Sequence, residues 1–367
     1  MLNQQQQLSL GWDVGGAHLK VALLGSDNAV LQVIQAECPL WRGLDKLEQA
    51  VVDVLGQLVA RFEMLPQQHA VTMTGELADI FADRNAGVLE ISDLMCQLLP
   101  GKVVFYAGTA GFVAIADVAY STSYIASANW LASAAFVAQQ LGNGLFIDIG
   151  STTSDLVLLA DRQPQARGFS DAARMQYEEL VYTGVIRTPV MAISSRMPFG
   201  GEWVNIAAEH FATSADVYRL TGDLDETTDM ADTADGAGKT MEDSARRLAR
   251  MVGCDFGDAS MAAWVTLAEA FKQTQLTQLK GAVMRCLSRN LIDNSAPIVG
   301  AGAGSFLAQA IAIQLDRPYL DVASLIKTDT SLDATVGTSI AQQWAAICLP
   351  AYAVAYLSQT HTPNSSS

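Results

Sequence analysis

The stretch LSLGWDVGGAHLKVALL, residues 8–24, decides the architecture. It reads as a strand through Val14, a turn at Gly15-Gly16, and a returning strand HLKVALL. Asp27-Asn28 supplies a second turn before a third strand candidate, Val30–Ala36, so the chain opens with a β-meander. The same theme recurs at residues 144–160, GLFIDIGSTTSDLVLLA. Asp13-Val-Gly15 and Asp148-Ile-Gly150 each follow an apolar strand and precede another. A strand–turn–strand unit repeated at a distance of about 135 residues predicts two related halves facing each other.

Between and after these hairpins the pattern is mixed α/β. Leu44, Leu47, Val51, Val54, Leu55 and Leu58 share one face of a helix over Gly43–Leu65. Strands are expected at His69–Thr74, Val103–Tyr106, Ala296–Val299 and Pro318–Leu320. Helices are expected at Ser92–Leu99, Ser127–Leu141, Glu202–Phe211, Lys239–Met251, Ala259–Ser288, Ser305–Leu315 and Val336–Leu349. The domain expectation is a first domain over residues 1–142 and a second over 143–335. A C-terminal helix over 336–358 returns to the first, and a disordered tail covers 359–367. Residues Gln4–Gln7 read as a frayed leader.

Composition narrows the function classes. At 367 residues, half of them hydrophobic and 16% charged, the chain has material for two cores. A net charge of −16 repels phosphate backbones, so no nucleic-acid partner is expected. The five cysteines are dispersed and form no C-x-x-C pair, as in a reducing compartment. From Val103 to Ile147 the only charge is Asp117, but polar residues interrupt the run, so neither a membrane span nor a membrane partner is expected. The expected location is the cytoplasm.

Three glycine-rich turns carry the chemistry: Asp13-Val-Gly-Gly-Ala-His-Leu-Lys20, Asp148-Ile-Gly-Ser-Thr-Thr-Ser-Asp155 and Gly300-Ala-Gly-Ala-Gly-Ser305. Gly15, Gly16, Gly150, Gly300, Gly302 and Gly304 let the backbone approach an oxyanion and aim N–H groups at it. Ser151, Thr152 and Thr153 add hydroxyls, and Lys20 adds a point charge. His18 is a further phosphate donor or a structural strand-edge histidine. Asp13 and Asp148, each ending a strand beside such a turn, suit Mg²⁺ held through its waters. Singly, each turn is as well explained by a plain hairpin or by tight strand–helix packing; the three in this order are not.

The three turns resemble the phosphate-1, phosphate-2 and adenosine motifs of the actin, sugar-kinase and heat-shock ATPase superfamily, over Asp13 to Gly337. That resemblance implies a two-domain, ribonuclease H-like α/β fold with an interdomain cleft. Within the superfamily the chain looks like the hydantoinase/oxoprolinase group. The combination DVGGAHLK, SANWLASA, DIGSTTSD, YTGVIRTPV and GAGAGSFL resembles that group's methanofuran-biosynthesis branch. Members accompany tetrahydromethanopterin-linked C1 metabolism in methanogens and methylotrophs. The resemblance implies a transferase that joins an aminomethylfuran diphosphate to a tyramine- or tyrosine-type phenol, releasing diphosphate. Its implied partners are therefore two small molecules, and a homodimer accords with the habits of the superfamily.

Two positions depart from the pattern. Ala17 stands where kinases of the superfamily carry Thr or Ser, removing a donor to a terminal phosphate and weighing against ATP as cosubstrate. His18 stands where the archaeal branch leads one to expect Asn. An ATP-dependent kinase or ATPase, and a nucleotide-binding regulator without catalysis, are the alternatives.

Glu76 and Asp155 are the candidates for a base near the phenol. Asn129 faces a substrate or caps its helix. Arg187 clamps an anionic substrate group or forms a buried ion pair. Trp203 reads as a core tryptophan or a stacking platform. The acidic stretch 223–235 reads as an exposed, solvated loop or insertion, its Asp232, Asp235 and nearby Lys239 as loop residues or metal ligands.

Overall fold

The computed structural model describes residues 8–63, 66–328 and 340–360. They fall into two compact units. The first takes the chain up to Gly142, returns for Asp161–Pro164 and resumes at Val322; the second takes Asn143–Ala160 and Gln165–Asp321. The leader and the 361–367 part of the expected tail lie outside the described residues.

The first unit opens with β1 (Ser9–Val14), β2 (His18–Leu24) and β3 (Val30–Glu37), an antiparallel meander. Helix α1 (Leu44–Phe62) crosses to β4 (Gln68–Met73), and α2 (Arg84–Leu98) crosses to β5 (Lys102–Tyr106), with β6 (Phe112–Val113) at the edge. The sheet order is β3-β2-β1-β4-β5-β6, with β4 and β5 parallel to β1. Helices α3 (Ile115–Ile125) and α4 (Asn129–Leu141) follow. One face of the sheet buries Leu10, Trp12, Val14, Val21 and Val71 with the apolar stripe of α1, Leu47, Val51, Val54 and Leu58.

The second unit repeats the plan. Strands β7 (Gly144–Ile149) and β8 (Ser154–Ala160) form the hairpin. After β9 (Gln163–Pro164), which belongs to the first unit, the second continues with α5 (Asp171–Tyr177) and the short β10 (Leu180–Val181), which pairs antiparallel with β8. Next come α6 (Val190–Ile193), the hairpin β11 (Arg196–Phe199) and β12 (Glu202–Asn205), α7 (Ser214–Thr221), α8 (Met241–Met251) and α9 (Met261–Leu287). Strand β13 (Ile298–Ala301), α10 (Ser305–Gln314) and β14 (Tyr319–Asp321) complete the unit. The order β10-β8-β7-β13-β14, with β13 and β14 parallel, matches β3-β2-β1-β4-β5 strand for strand. This duplicated meander-plus-crossover is the two-sheet α/β fold of the actin-like ATPases.

The chain ends in the first unit with α11 (Ile340–Ile347) and α12 (Leu349–Thr360). Helix α12 lies so close to β1 that a Cβ on Gly11 would sit 1.9 Å from the Ala351 carbonyl oxygen. Among the described residues no single helix is long and apolar enough to cross a membrane. The α11–α12 pair passes that test only jointly and is bent by 96°.

Four sequence expectations change. Residues 202–211 are not a helix: Glu202–Asn205 is a strand, because Gly200 and Gly201, both at positive φ, close a hairpin with Arg196–Phe199. Trp203 is exposed rather than in the core, under the Arg196 guanidinium at 5.0 Å. The acidic 223–235 stretch is tied down: Asp229 is buried and bonds Arg219, and Asp235 meets the wholly buried Arg247 at 3.0 Å. Finally, the expected C-terminal helix, whose residues 336–339 lie outside the described residues, is two helices: α11 ends at Ile347 and α12 starts at Leu349 after a 96° bend, with Pro350 in the first turn of α12, where a missing N–H costs nothing.

Candidate functional site

The first unit's glycine turn and the residues around it are set by strand register. Asp13 pairs with Lys20 on β2 and with Thr72 on β4. Directly paired residues share a sheet face, so these three, and His18 two residues from Lys20, line the same side. The turn between the strands is closed by the Gly15 amide donating to the His18 carbonyl at 3.0 Å. A Cβ on Gly15 would come within 2.8 Å of that oxygen, so the close turn needs glycine.

Asp13 is 3% exposed. Burial raises its pKa, and the Lys20 charge and a hydrogen bond from Asn129 oppose the rise. Its Oδ1 has no hydrogen-bond partner. Asn129 is the first residue of α4 and not its cap, since Ala128 holds that position without a side-chain bond; Asn129 accepts from the Trp130 amide through Oδ1 at 2.8 Å and donates to Asp13. Glu76, in the short turn Gly75–Leu77, is 1% exposed and accepts from Ser127 Oγ at 2.8 Å. The expected base is thus buried and engaged with the residue two before Asn129, which suits it to holding the start of α4 rather than meeting a phenol.

The second unit's glycine turn repeats this register. Asp148 pairs with Asp155 on β8 and with Ala301 on β13. The Gly150 amide donates to the Thr153 carbonyl at 2.9 Å, the counterpart of the Gly15 bond. Asp155 therefore occupies the position that Lys20 holds in the first unit. Its Oδ1 meets Arg174 Nη1 at 2.7 Å, and Arg174 is wholly buried. Burial raises the Asp155 pKa and the guanidinium opposes it. Asp155 is thus tied to an arginine through one carboxylate oxygen, while its side chain stays partly exposed.

The third glycine turn is joined to the second within the unit. Gly302, at φ +77°, lies where a Cβ would fall 2.4 Å from Asp148 Oδ1. The Gly304 amide donates to the Ile149 carbonyl at 2.8 Å. Gly300 instead packs against the Tyr319 ring, a close strand-to-strand contact. The Gly150–Thr153 loop is held from behind by Thr183–Arg187. Val185 donates to Gly150, and Ile186 and Arg187 both donate to the Ser151 carbonyl. The Ser151 Oγ itself has no hydrogen-bond partner.

Arg187 is exposed and forms no ion pair among the described residues, which removes the buried-pair reading. Sequence reasoning missed two supports. Gln275, buried on α9, donates to Thr183 Oγ1 and to the Gly184 carbonyl and accepts from Tyr218. Thr72 is wholly buried beside Asp13, with an Oγ1 that has no partner. A lone Thr in an apolar strand was the only signal for the second.

Among the described residues no three His, Cys, Asp or Glu side chains gather as a protein-only metal cage. Mg²⁺ needs none, since it keeps waters and takes one or two carboxylates plus phosphate oxygens. The buried, unpartnered Asp13 Oδ1 fits such an ion.

The sequence matches the hydantoinase/oxoprolinase family over residues 67–343. The chain is a member of that family. This hydantoinase/oxoprolinase-family protein is 30% identical over 247 residues to a (4-{4-[2-(gamma-L-glutamylamino)ethyl]phenoxymethyl}furan-2-yl)methanamine synthase of Methanocaldococcus jannaschii, covering 67% of this chain and 72% of that one. It is 30% identical over 128 residues to the synthase of the same name from Methanococcus vannielii, covering 35% of this chain and 57% of that one. Among solved structures, nucleotide-free acetone carboxylase aligns with TM-score 0.52 at 9% identity, over 84% of this chain and 67% of that one, a likeness of fold.

Proposed function

We propose that this protein is an alkyltransferase of methanofuran-type cofactor biosynthesis, acting in the cytoplasm. It condenses an aminomethylfuran diphosphate with a tyramine- or tyrosine-type phenol. The reading is supported by the names of its archaeal relatives. The observation that carries it is the duplicated placement of Asp13 and Asp148, each ending a strand beside a glycine turn of the same register.

In this reaction the bond between the furfuryl carbon and the diphosphate oxygen breaks. A new bond forms from the phenolic oxygen to that carbon, and the phenolic proton is released. The furan ring stabilises positive charge on the departing methylene, so the demanding step is charge on the leaving group. Mg²⁺, when bound, supplies charge neutralisation at the diphosphate. Each turn by itself, at Gly16 and at Ser151–Thr153, offers backbone N–H groups, and the second its hydroxyls, to phosphate oxygens. Asp13, steadied by Asn129, and Asp148, packed under Gly302, are each by itself a carboxylate that would hold the waters of such an ion. Exposed Arg187, anchored by its own amide to Ser151, reaches an anionic oxygen. A chain of net charge −16 needs such local donors to retain an anion. Ala17, which offers no hydroxyl, weighs against transfer of a terminal phosphate.

The test uses two mixtures. One contains protein, Mg²⁺ and ATP; the other contains protein, Mg²⁺, a furfuryl-type diphosphate and a tyramine phenol. Diphosphate and aryl ether are expected in the second alone. ADP in the first, with no ether in the second, would replace the transferase reading with a kinase or ATPase.

A further inference from the structure

Two buried polar atoms of the first unit lack partners on the same face of the same sheet. Asp13 Oδ1 ends β1, and Thr72 Oγ1 stands directly opposite it on β4. They do not bond each other, since neither has any hydrogen-bond partner. Thr72 is wholly buried and Asp13 nearly so. Buried polar groups in folded proteins are overwhelmingly satisfied, and the exceptions mark a water, an ion or a catalytic role. A hydroxyl and a carboxylate oxygen in register across neighbouring parallel strands can be satisfied together by one intervening water.

What kind of water follows from the surroundings. The other demands on Asp13 are met by the Asn129 donor and the Lys20 charge on the adjoining strand. A carboxylate steadied in this way presents its remaining oxygen to a donor with strong positive character, and water on a divalent cation is such a donor. Thr72 can accept from a second hydrogen of that water or donate to its oxygen's neighbour in the shell.

We infer that Asp13 Oδ1 and Thr72 Oγ1 form a two-point seat for the hydration shell of a divalent cation, with Thr72 an outer-sphere positioning residue. This rests on the diphosphate reading only for the ion's purpose; the seat itself can be tested without any diphosphate.

The experiment titrates Mn²⁺ into the full chain by electron paramagnetic resonance, first alone and then with inorganic pyrophosphate. Thr72→Val keeps the shape and removes the hydroxyl, and Thr72→Ser restores the hydroxyl. Outer-shell substitutions of this kind weaken metal binding by about 10- to 100-fold, and about tenfold is expected for Thr72→Val. Thr72→Ser should stay within about twofold of wild type, and the thermal midpoint of apo Thr72→Val should be equal or higher. Should Thr72→Val fail to fold, Thr72→Ala makes the same comparison. Undiminished Mn²⁺ affinity without the hydroxyl would overturn the inference. So would equal weakening in Thr72→Ser, or no Mn²⁺ binding by wild type. Mn²⁺ binding that depends on Thr72 while pyrophosphate fails to join it would uphold the seat and sink the diphosphate reading.

Discussion

Ser127 donates to Glu76 Oε1 at 2.8 Å from a left-handed backbone, φ +52°. A non-glycine residue there is strained, and the buried bond is what holds it. Two residues on, Asn129 meets Asp13. The pair is therefore a latch on the start of α4, and substitutions should separate latch from base. Glu76→Gln still accepts from Ser127 and should leave folding and turnover close to wild type. Glu76→Ala strands a buried hydroxyl and should cost about 1–3 kcal/mol by urea unfolding. Ser127→Gly relieves the backbone and should cost less than Ser127→Val, whose β-branch is poorly tolerated at that φ. A folded Glu76→Gln protein with abolished turnover would return Glu76 to the role of base.

Gly302 and Gly16 make a controlled contrast. A Cβ at Gly302 would lie 2.4 Å from both Asp148 Oδ1 and the Ile149 carbonyl oxygen, at φ +77°. At Gly16 it would meet nothing within 4 Å. Gly302→Ala should cost about 2 kcal/mol or more, or displace Asp148 and abolish pyrophosphate binding. Gly16→Ala should change stability by less than about 1 kcal/mol. Chemical denaturation beside calorimetric binding checks both, and a silent Gly302→Ala would contradict the packing of the third turn on Asp148.

His69 gives the stability a pH dependence. It is buried and accepts from the Trp12 indole at 3.2 Å through Nδ1, and burial pushes its pKa from 6.5 down to about 4. Between these values the unfolded chain binds a proton that the folded chain refuses. The neutral histidine's contribution is therefore complete above about pH 6.5 and falls as the pH drops toward about 4, by up to about 3 kcal/mol. His69→Gln should flatten that part of the profile in urea titrations run across the window. An unchanged slope would show that His69 is not its source.

Arg187 should affect binding without affecting the fold. Its side chain is exposed while its amide is bonded to the Ser151 carbonyl. Arg187→Ala should shift unfolding by no more than about 0.5 kcal/mol and weaken Mg²⁺-dependent pyrophosphate binding about tenfold. Wild-type affinity in this variant would remove Arg187 from the site.

The hairpins around Asp13 and Asp148 were legible because an apolar strand, a glycine turn and a second strand are local events. Residues 202–211 were misread because the apolar and polar spacing suits a helix, whereas Gly200-Gly201 reverses the chain immediately before it. The acidic 223–235 stretch looked solvated because its cations, Arg219 and Arg247, come from α7 and α8 on either side. The partners of Glu76 and Asp155 were not legible, because Ser127 and Arg174 lie 51 and 19 residues away from them.

By itself the order of residues determined the repeated strand-and-turn plan and the family, since both rest on contiguous motifs. Only tertiary structure decided which polar groups are satisfied. Asp13, Glu76 and Asp155 are chemically alike along the chain. Burial makes an ion partner, a hydroxyl partner or an amide partner energetically decisive, and those partners arrive from strands and helices that only folding brings together.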